Sequence, residues 1–430
     1  MNPFARKPLP PSLYAETARP AVATPPLAGD LRVSVAVIGG GLTGLSAALH
    51  LAEAGTRVAV LEAHEPGWGA SGRNGGQVNP GLKHDPDQIE ADFGPDLGAR
   101  MVSMSWDAPN VVFDLIRRHQ IISEALQSGT LRAAFTARSA EAVRRSAAQC
   151  AGRGMPVDVL ERDGIAGASG TRRYVAAMLD RRGGRVNPLG YARGLAQAAI
   201  QAGAAVHGET PVLRVGRNRS EWHLATPRGI VRAEHVLLAT NGYTDDLWPG
   251  LRRSIVPVFS AIAATEPLPP DLAAAIMPTG AVLYEAETVT VYYRQDQAGR
   301  LLMGGRSPSR DIAAPGDLGY LIRYARRLWP RLAGLRWTHG WSGQLAITPD
   351  HYPHVHEPAP GVTVCFGYNG RGVAMATAMG PQLARRILGG TEATIDMPVT
   401  TMREIPLHAL WRSAVAARIA YARIHAWLGL

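Results

Sequence analysis

Lysine and cysteine are nearly missing from this chain. Lys7 and Lys83 are the only lysines in 430 residues, so the formal net charge of +10 rests on arginines, scattered without a block of five or six. That excludes the clustered basic stripe of a nucleic-acid binder and leaves a positive field suited to an acidic cofactor. With only Cys150 and Cys365, a disulfide framework and a multi-cysteine zinc site are excluded, and a reducing cytoplasm is the default. No metal is expected either. His351, His354 and His356 bracket Pro353 in a turn, at a spacing that matches no common zinc pattern and without a cysteine or carboxylate set. Residues 1–30 hold seven prolines and no apolar run, so an irregular surface arm is expected there rather than a leader or a membrane span. Repeats at solenoid spacing are absent, and the length suits two domains.

What is present is a nucleotide clamp. An apolar run over 33–38 enters Gly39-Gly40-Gly41-Leu42-Thr43-Gly44, and Leu42, Leu45, Ala48, Leu49 and Ala52 then recur at helical spacing until Gly55. Residues 57–61 read as a second buried strand ending at Glu62 and Ala63. In such a βαβ unit the first glycine makes the turn, the second lets backbone approach a pyrophosphate, and the third lets helix and strand pack closely. Glu62 sits where a carboxylate accepts hydrogen bonds from a ribose, which disfavours a 2′-phosphate and hence NADP.

The segment Gly67-Trp68-Gly69-Ala70-Ser71-Gly72-Arg73-Asn74-Gly75-Gly76-Gln77 is too rich in glycine and small polar residues for a strand or stable helix. Its donors can follow a cofactor beyond the pyrophosphate. Residues 87–150 read as helices, and a helix over 191–201 is followed by strands near 205 and over 211–215. Residues 235–242 form a buried strand ending at Thr240, Asn241 and Gly242, in the position that faces the ligand crevice of a doubly wound sheet. Alternating runs over 289–294 and 300–305 indicate an antiparallel sheet. A last strand, 362–366, leads through Asn369, Gly370, Arg371 and Gly372 into a helix from Val373, a second anion-stabilising helix start.

With these motifs the sequence resembles, over nearly its whole length, the D-amino-acid-oxidase-like superfamily of FAD-dependent amine and amino-acid oxidoreductases. Residues 70–77, Tyr292-Tyr293-Arg294, 300–305 and Leu428-Gly429-Leu430 are similar to gamma-glutamylputrescine-oxidase-type members. Asp180 with Asn187-Pro188, Thr348-Pro349-Asp350 and 367–373 are similar to bacterial L-pipecolate-oxidase-type members. The resemblance implies an α/β fold with an α+β second part: a Rossmann-like FAD-binding domain (31–86, 155–248 and 341–405) interleaved with an antiparallel-sheet substrate domain (87–154 and 249–340), between the arm 1–30 and a C-terminal helix 406–430. It implies FAD held by Gly39, Gly41, Leu42, Thr43, Gly44, Glu62 and Ala63. Val212 offers backbone to adenine, Ser71, Gly72, Arg73, Asn74, Gly75, Gly76 and Gln77 follow the flavin side, Thr240 and Asn241 lie nearby, and Gly370, Arg371, Gly372 and Val373 approach the flavin pyrimidine. Family members with a covalent flavin carry a cysteine just before the Thr-Pro-Asp segment; residues 341–348 have none, so noncovalent FAD is expected.

The implied reaction takes a hydride equivalent from the carbon beside an amine and leaves an imine for hydrolysis, with O2 as acceptor and H2O2 as product. Tyr293, Arg294, Trp341, Gln344 and Asn369 are placed above the ring, Arg294 as the holder of a substrate carboxylate. Lys83, just after the flavin loop, is the candidate for oxygen activation. A gamma-glutamylputrescine-like amine is favoured. The alternatives are an L-pipecolate- or proline-type imino acid, an N-methyl amino acid, a dehydrogenase feeding a quinone or carrier, and a non-catalytic nucleotide-binding protein. Residues 407–428 mix apolar side chains with Arg412, Arg418 and Arg423. An interfacial membrane helix is one reading of them, and packing on the protein's own surface the preferred one.

Overall fold

The computed structural model describes residues 7–286, 290–307, 312–391 and 394–428. Strand β1 (Leu31–Ile38) runs into the glycine turn and helix α1 (Leu42–Glu53), and β2 (Val58–Leu61) returns parallel to β1. β1 lies inside the sheet and is covered on both faces, so Val35, Ala36, Val37 and Ile38 are all buried, as a central parallel strand requires. Its other neighbour is β3 (Gly229–Leu238), also parallel, whose far edge carries the hairpin Arg214–Asn218 and Glu221–Thr226.

The chain then builds a second sheet from β4 (Val256–Pro267), β5 (Val291–Gln295), β6 (Arg300–Arg306) and β7 (Trp337–Ile347). β7, β4, β6 and β5 are neighbours in that order, all antiparallel. The sheet continues through Val282–Glu285, Thr130–Ala134, Ala176–Asp180 and Val157–Glu161. One pair within it, Val282–Glu285 with Thr130–Ala134, is parallel. The chain finally returns to the first sheet as β8 (Val362–Phe366), beside β3, and enters helix α2 (Gly372–Ile387), which packs on α1. Helix α3 (Trp411–Leu428) closes it.

Several expectations shift. Thr130–Ala134 is a strand inside a stretch read as helical, and the strand expected over 211–215 is Arg214–Asn218. The domain boundaries move for the same reason. Val157–Glu161, Ala176–Asp180 and the whole of β7 belong to the second sheet, so the boundaries at 155 and 341 fall too early and inside a strand. Short segments carry too little periodic signal to say which sheet will pair with them.

The arm is not an irregular surface segment throughout either. A short helix, Leu13–Thr17, capped by Ser12, buries Leu13 and Tyr14 against Trp341. Farther along, the Arg19 carbonyl accepts from Arg193, a buried guanidinium that also pairs with buried Glu65 at 2.8 Å. Leu428 ends α3, while Gly429 and Leu430 lie outside the described residues, as does Val289 of the run expected over 289–294.

Candidate functional site

A cavity of about 1440 Å³, its mouth included, opens between the two sheets. One end is the β1–α1 turn. Gly39 has φ +107°, and a Cβ there would meet the Ala239 carbonyl oxygen at 2.9 Å; at Gly41 it would meet Ser71 Oγ at 2.8 Å. A Cβ at Gly44 would overlap the Gly39 carbonyl. The amides of Gly41, Thr43 and Gly44 have no acceptor among the described residues, so the start of α1 offers free donors to an anion. Glu62 is fixed beside them, accepting from the amides of Gly40 at 2.7 Å and His64 at 2.9 Å. Burial pushes its carboxyl up, against the amides of His64, Gly40 and Ala63 that hold it down. The Thr210 amide donates to the Glu62 carbonyl at 2.8 Å, which brings Val212 alongside. The Val212 amide also has no acceptor among the described residues.

The glycine-rich loop is ordered by its own polar groups. Ala70–Gly72 form a 3-10 turn, and Ser71 Oγ accepts from the Leu42 amide at 3.0 Å. Asn74 donates to the carbonyls of Ala70 and Ser71 and accepts from the Gly76 amide at 2.8 Å. The Arg73 guanidinium lies over Trp68 and Tyr243, and donates to the Tyr243 hydroxyl and the Ser342 carbonyl. Gln77 reaches the second sheet, donating to the carbonyls of Leu283 at 2.9 Å and Tyr293 at 3.2 Å. Gly72 packs against the Gly67 carbonyl with no room for a Cβ. Thr43 shares a 2.6 Å hydrogen bond with Tyr368, whose hydroxyl lies 3.2 Å from Cys365 Sγ.

The opposite wall is the start of α2. Asn369 (φ +53°) and Gly370 (φ +93°) turn the chain into it, and the amides of Gly372, Val373 and Ala374 lack acceptors among the described residues. Arg371 lies 4.6 Å over the Tyr284 ring and donates to its hydroxyl and to the Pro80 carbonyl. Asn241 (φ +44°) accepts from the Gly367 amide at 3.0 Å, whereas the Thr240 hydroxyl turns away to Thr244.

Of the residues expected over the ring, only Asn369 lines the cavity, together with Lys83, the candidate for oxygen activation. The Asn369 amide is held by Thr348, from whose backbone it accepts at 3.0 Å. Tyr293 points the other way, into the second core, donating to Tyr174 at 3.0 Å and packing edge-on to Trp329. Its neighbour Tyr292 lines the cavity instead, because successive residues of β5 face opposite sides of the sheet. Arg294 shares the Tyr292 face but is buried behind the glycine-rich loop. It donates to the carbonyls of Gly75 (2.7 Å), Val186 (3.2 Å) and Gln295 (3.1 Å) and to the Tyr14 hydroxyl (3.1 Å), which makes it a clamp rather than a carboxylate holder. Trp341 is fully buried and donates to the Arg73 carbonyl at 3.0 Å, and Gln344 turns to the Gly242 carbonyl at 2.6 Å, while Gly343 and Leu345 of the same strand reach the cavity.

Phe259, Ser260, Tyr292 and Arg306 were not singled out by the sequence and do line the cavity. A signal for Tyr292 existed in Gly304, its partner in register, where a Cβ would overlap the tyrosine ring. The charged side chains on the cavity wall are Arg73, Lys83, Arg306 and Arg371; no carboxylate, cysteine or histidine is among the described lining residues. Lys83 makes no hydrogen bond or ion pair with any described residue. Its surface is open to the cavity but protein surrounds it, and burial, followed by repulsion from Arg371, Arg306 and Arg132, lowers its pKa to about 8, with Asp85 opposing.

Two helix starts whose amides lack acceptors among the described residues, a carboxylate fixed at the end of β2 and a long cavity between the helix starts fit an extended dinucleotide. A profile of the family described as FAD dependent oxidoreductase (DAO) matches residues 34–386. The chain is 33% identical over 374 residues to the probable oxidoreductase OrdL of Rhizobium meliloti, covering 85% of each chain. It is 31% identical over 386 residues to the gamma-glutamylputrescine oxidoreductase of Escherichia coli, covering 89% of each. The solved glycine oxidase of Geobacillus kaustophilus superposes with a TM-score of 0.72 at 23% identity, covering 87% of this chain and all (100%) of that one.

Replacing Arg294 with Met leaves the Gly75 and Val186 carbonyls without their buried donor. It should weaken FAD retention by about 10- to 100-fold, read as flavin lost on dialysis, whereas Tyr293→Phe should leave retention unchanged.

Proposed function

Since the chain belongs to the DAO family of FAD-dependent oxidoreductases, we propose that it is an oxidase of an amine that also carries a carboxylate, a gamma-glutamyl amine first among them. The observation that carries this reading is the charge of the cavity wall, four cations and no described carboxylate. Arg73 and Arg371 are committed to aromatic faces and carbonyls, and Arg306 and Lys83 line the same cavity. Arg306 takes the carboxylate role expected of Arg294. The name of the Escherichia coli relative points to the same substrate class.

The field that draws in a carboxylate repels an ammonium. It lowers the affinity of the bound amine for its proton, and a neutral amine is the form whose neighbouring carbon gives up hydrogen with its electron pair. Tyr292, hydrogen-bonded to Ser260 at 2.9 Å, and Phe259 shape the pocket that orients that carbon and exclude water from it. FAD, when bound, supplies the two-electron acceptor. The amine leaves as an imine, which water hydrolyses to a carbonyl compound and the released amine or ammonia. O2 is the terminal acceptor and leaves as H2O2. Lys83 stabilises the negative charge that develops on oxygen.

FAD is held by noncovalent contacts. No cysteine or histidine is among the described residues lining the cavity, and Cys365, buried in β8, has its thiol pushed up to about 12, chiefly by burial. Acid precipitation should release all of the yellow colour into the supernatant; flavin retained in the washed pellet would refute this.

An anaerobic screen of amines for bleaching of the visible flavin band should find carboxylate-bearing amines active and their decarboxylated analogues weak. Arg306→Ala should raise KM for the former by about 100-fold and leave the latter unchanged. Bleaching by simple amines with no preference for a carboxylate would sink the reading. Lys83→Met should slow reoxidation by O2 at least about tenfold while sparing anaerobic reduction. Because Lys83 carries its charge below its pKa of about 8, the wild-type oxygen reaction should slow as pH rises through that value, and the variant should lose this dependence.

A further inference from the structure

We infer that Lys83 is a covalent site for carbonyl compounds that also carry an anionic group, a carboxylate-bearing product of the proposed reaction among them. The identity of that product rests on the proposed function; the lysine and its surroundings do not.

Each residue from Pro80 to Asp85 is held by a partner or by burial, except Lys83. The Pro80 carbonyl accepts from Arg371 at 2.9 Å, the Gly81 amide donates to the Ser105 carbonyl at 2.9 Å, and Leu82 is buried. On the other side His84 Nε2 lies 2.7 Å from the Asp350 carbonyl, and Asp85 accepts from Arg132 at 2.7 Å and Ser146 at 2.8 Å. A backbone pinned on both sides keeps the Lys83 side chain at the cavity it lines. Its amine makes no hydrogen bond or ion pair with any described residue, although a carboxylate stands two residues along the chain.

The residue type is what separates this cation from the others. Of 45 basic residues only Lys7 and Lys83 are lysines, and Arg73, Arg306 and Arg371 already supply fixed positive charge to the same wall. A guanidinium keeps its proton and is no nucleophile, whereas an amine gives up its proton when burial and neighbouring cations disfavour the charge. Burial and repulsion from Arg371, Arg306 and Arg132, with Asp85 opposing, bring Lys83 to about 8, so an unprotonated fraction is present near neutral pH. The arginines of the wall also choose the ligand. They attract a carbonyl compound through its carboxylate and give a neutral aldehyde no such advantage. The Nζ lone pair then bonds to the carbonyl carbon, the carbonyl oxygen leaves as water with the two amine protons, and an imine remains. No oxidant or reductant is consumed.

The test incubates the full-length, FAD-loaded protein with glyoxylate or acetaldehyde and cyanoborohydride, which reduces an imine to a stable secondary amine, and maps the product by peptide mass spectrometry. Lys7, exposed on the arm, is the internal control. Lys83 should be modified at least about tenfold faster than Lys7 by either aldehyde, and glyoxylate should widen that ratio by a further factor of about ten. Arg306→Ala should remove the further factor and change acetaldehyde labelling by less than about threefold. Equal labelling of the two lysines, the same ratio with both aldehydes, or labelling of Lys83 only after FAD has been stripped would overturn the proposal. No amine is turned over in this assay, so its failure would leave the outcome of the amine screen untouched.

Discussion

Positive charge with no negative counterpart among the described residues of the same wall is the condition to which the rest of the site answers. Four cations facing one cavity repel one another, and the protein contains that repulsion differently at each position. Arg73 is held between two aromatic faces and a carbonyl, and Arg371 over Tyr284. These partners satisfy the guanidinium donors without cancelling the charge. Lys83 has no such partner, and answers by holding its proton less tightly. The resulting field extends over the whole cavity and favours any group in it that gains negative charge.

The two helix starts that bound the cavity contribute in the same sense. Amides without acceptors among the described residues at Gly41, Thr43 and Gly44, and again at Gly372, Val373 and Ala374, are partial positive charges that no side chain has to supply. They are fixed in place by the closeness of backbone segments, such as Gly39 beside Ala239. Donors held this way need no reorganisation when charge develops between them.

This division explains what could be read from the chain alone. The clamp was legible because its requirements are local: a positive φ at Gly39, no room for a Cβ at Gly44, a carboxylate at a set distance along the chain. The loop at 70–77 and the turn at 369–373 were legible for the same reason. The substrate side was not. Tyr292 and Tyr293 are adjacent and chemically alike, and a strand sends one to the cavity and the other to the core according to a register that only the partner strands fix. Arg294 invited a substrate role because its real acceptors, the carbonyls of Gly75 and Val186 and the hydroxyl of Tyr14, come from segments far away in the chain. Tyr14 itself lay in a proline-rich stretch whose composition gave no sign of a buried anchor.

The Arg294 clamp bears on the order in which the molecule is assembled. One guanidinium joins residue 14 near the beginning of the chain, residue 75 in the flavin loop, residue 186 before a helix of the first domain, and its own strand in the second sheet. Contacts separated by more than 200 residues form only after the intervening chain has been made and folded, and each closes a long loop at an entropic cost. The loop at 70–77 therefore keeps this shape only where both sheets and the arm are in place. Shape at this loop then reports on completion of the whole chain, and not of the glycine turn alone.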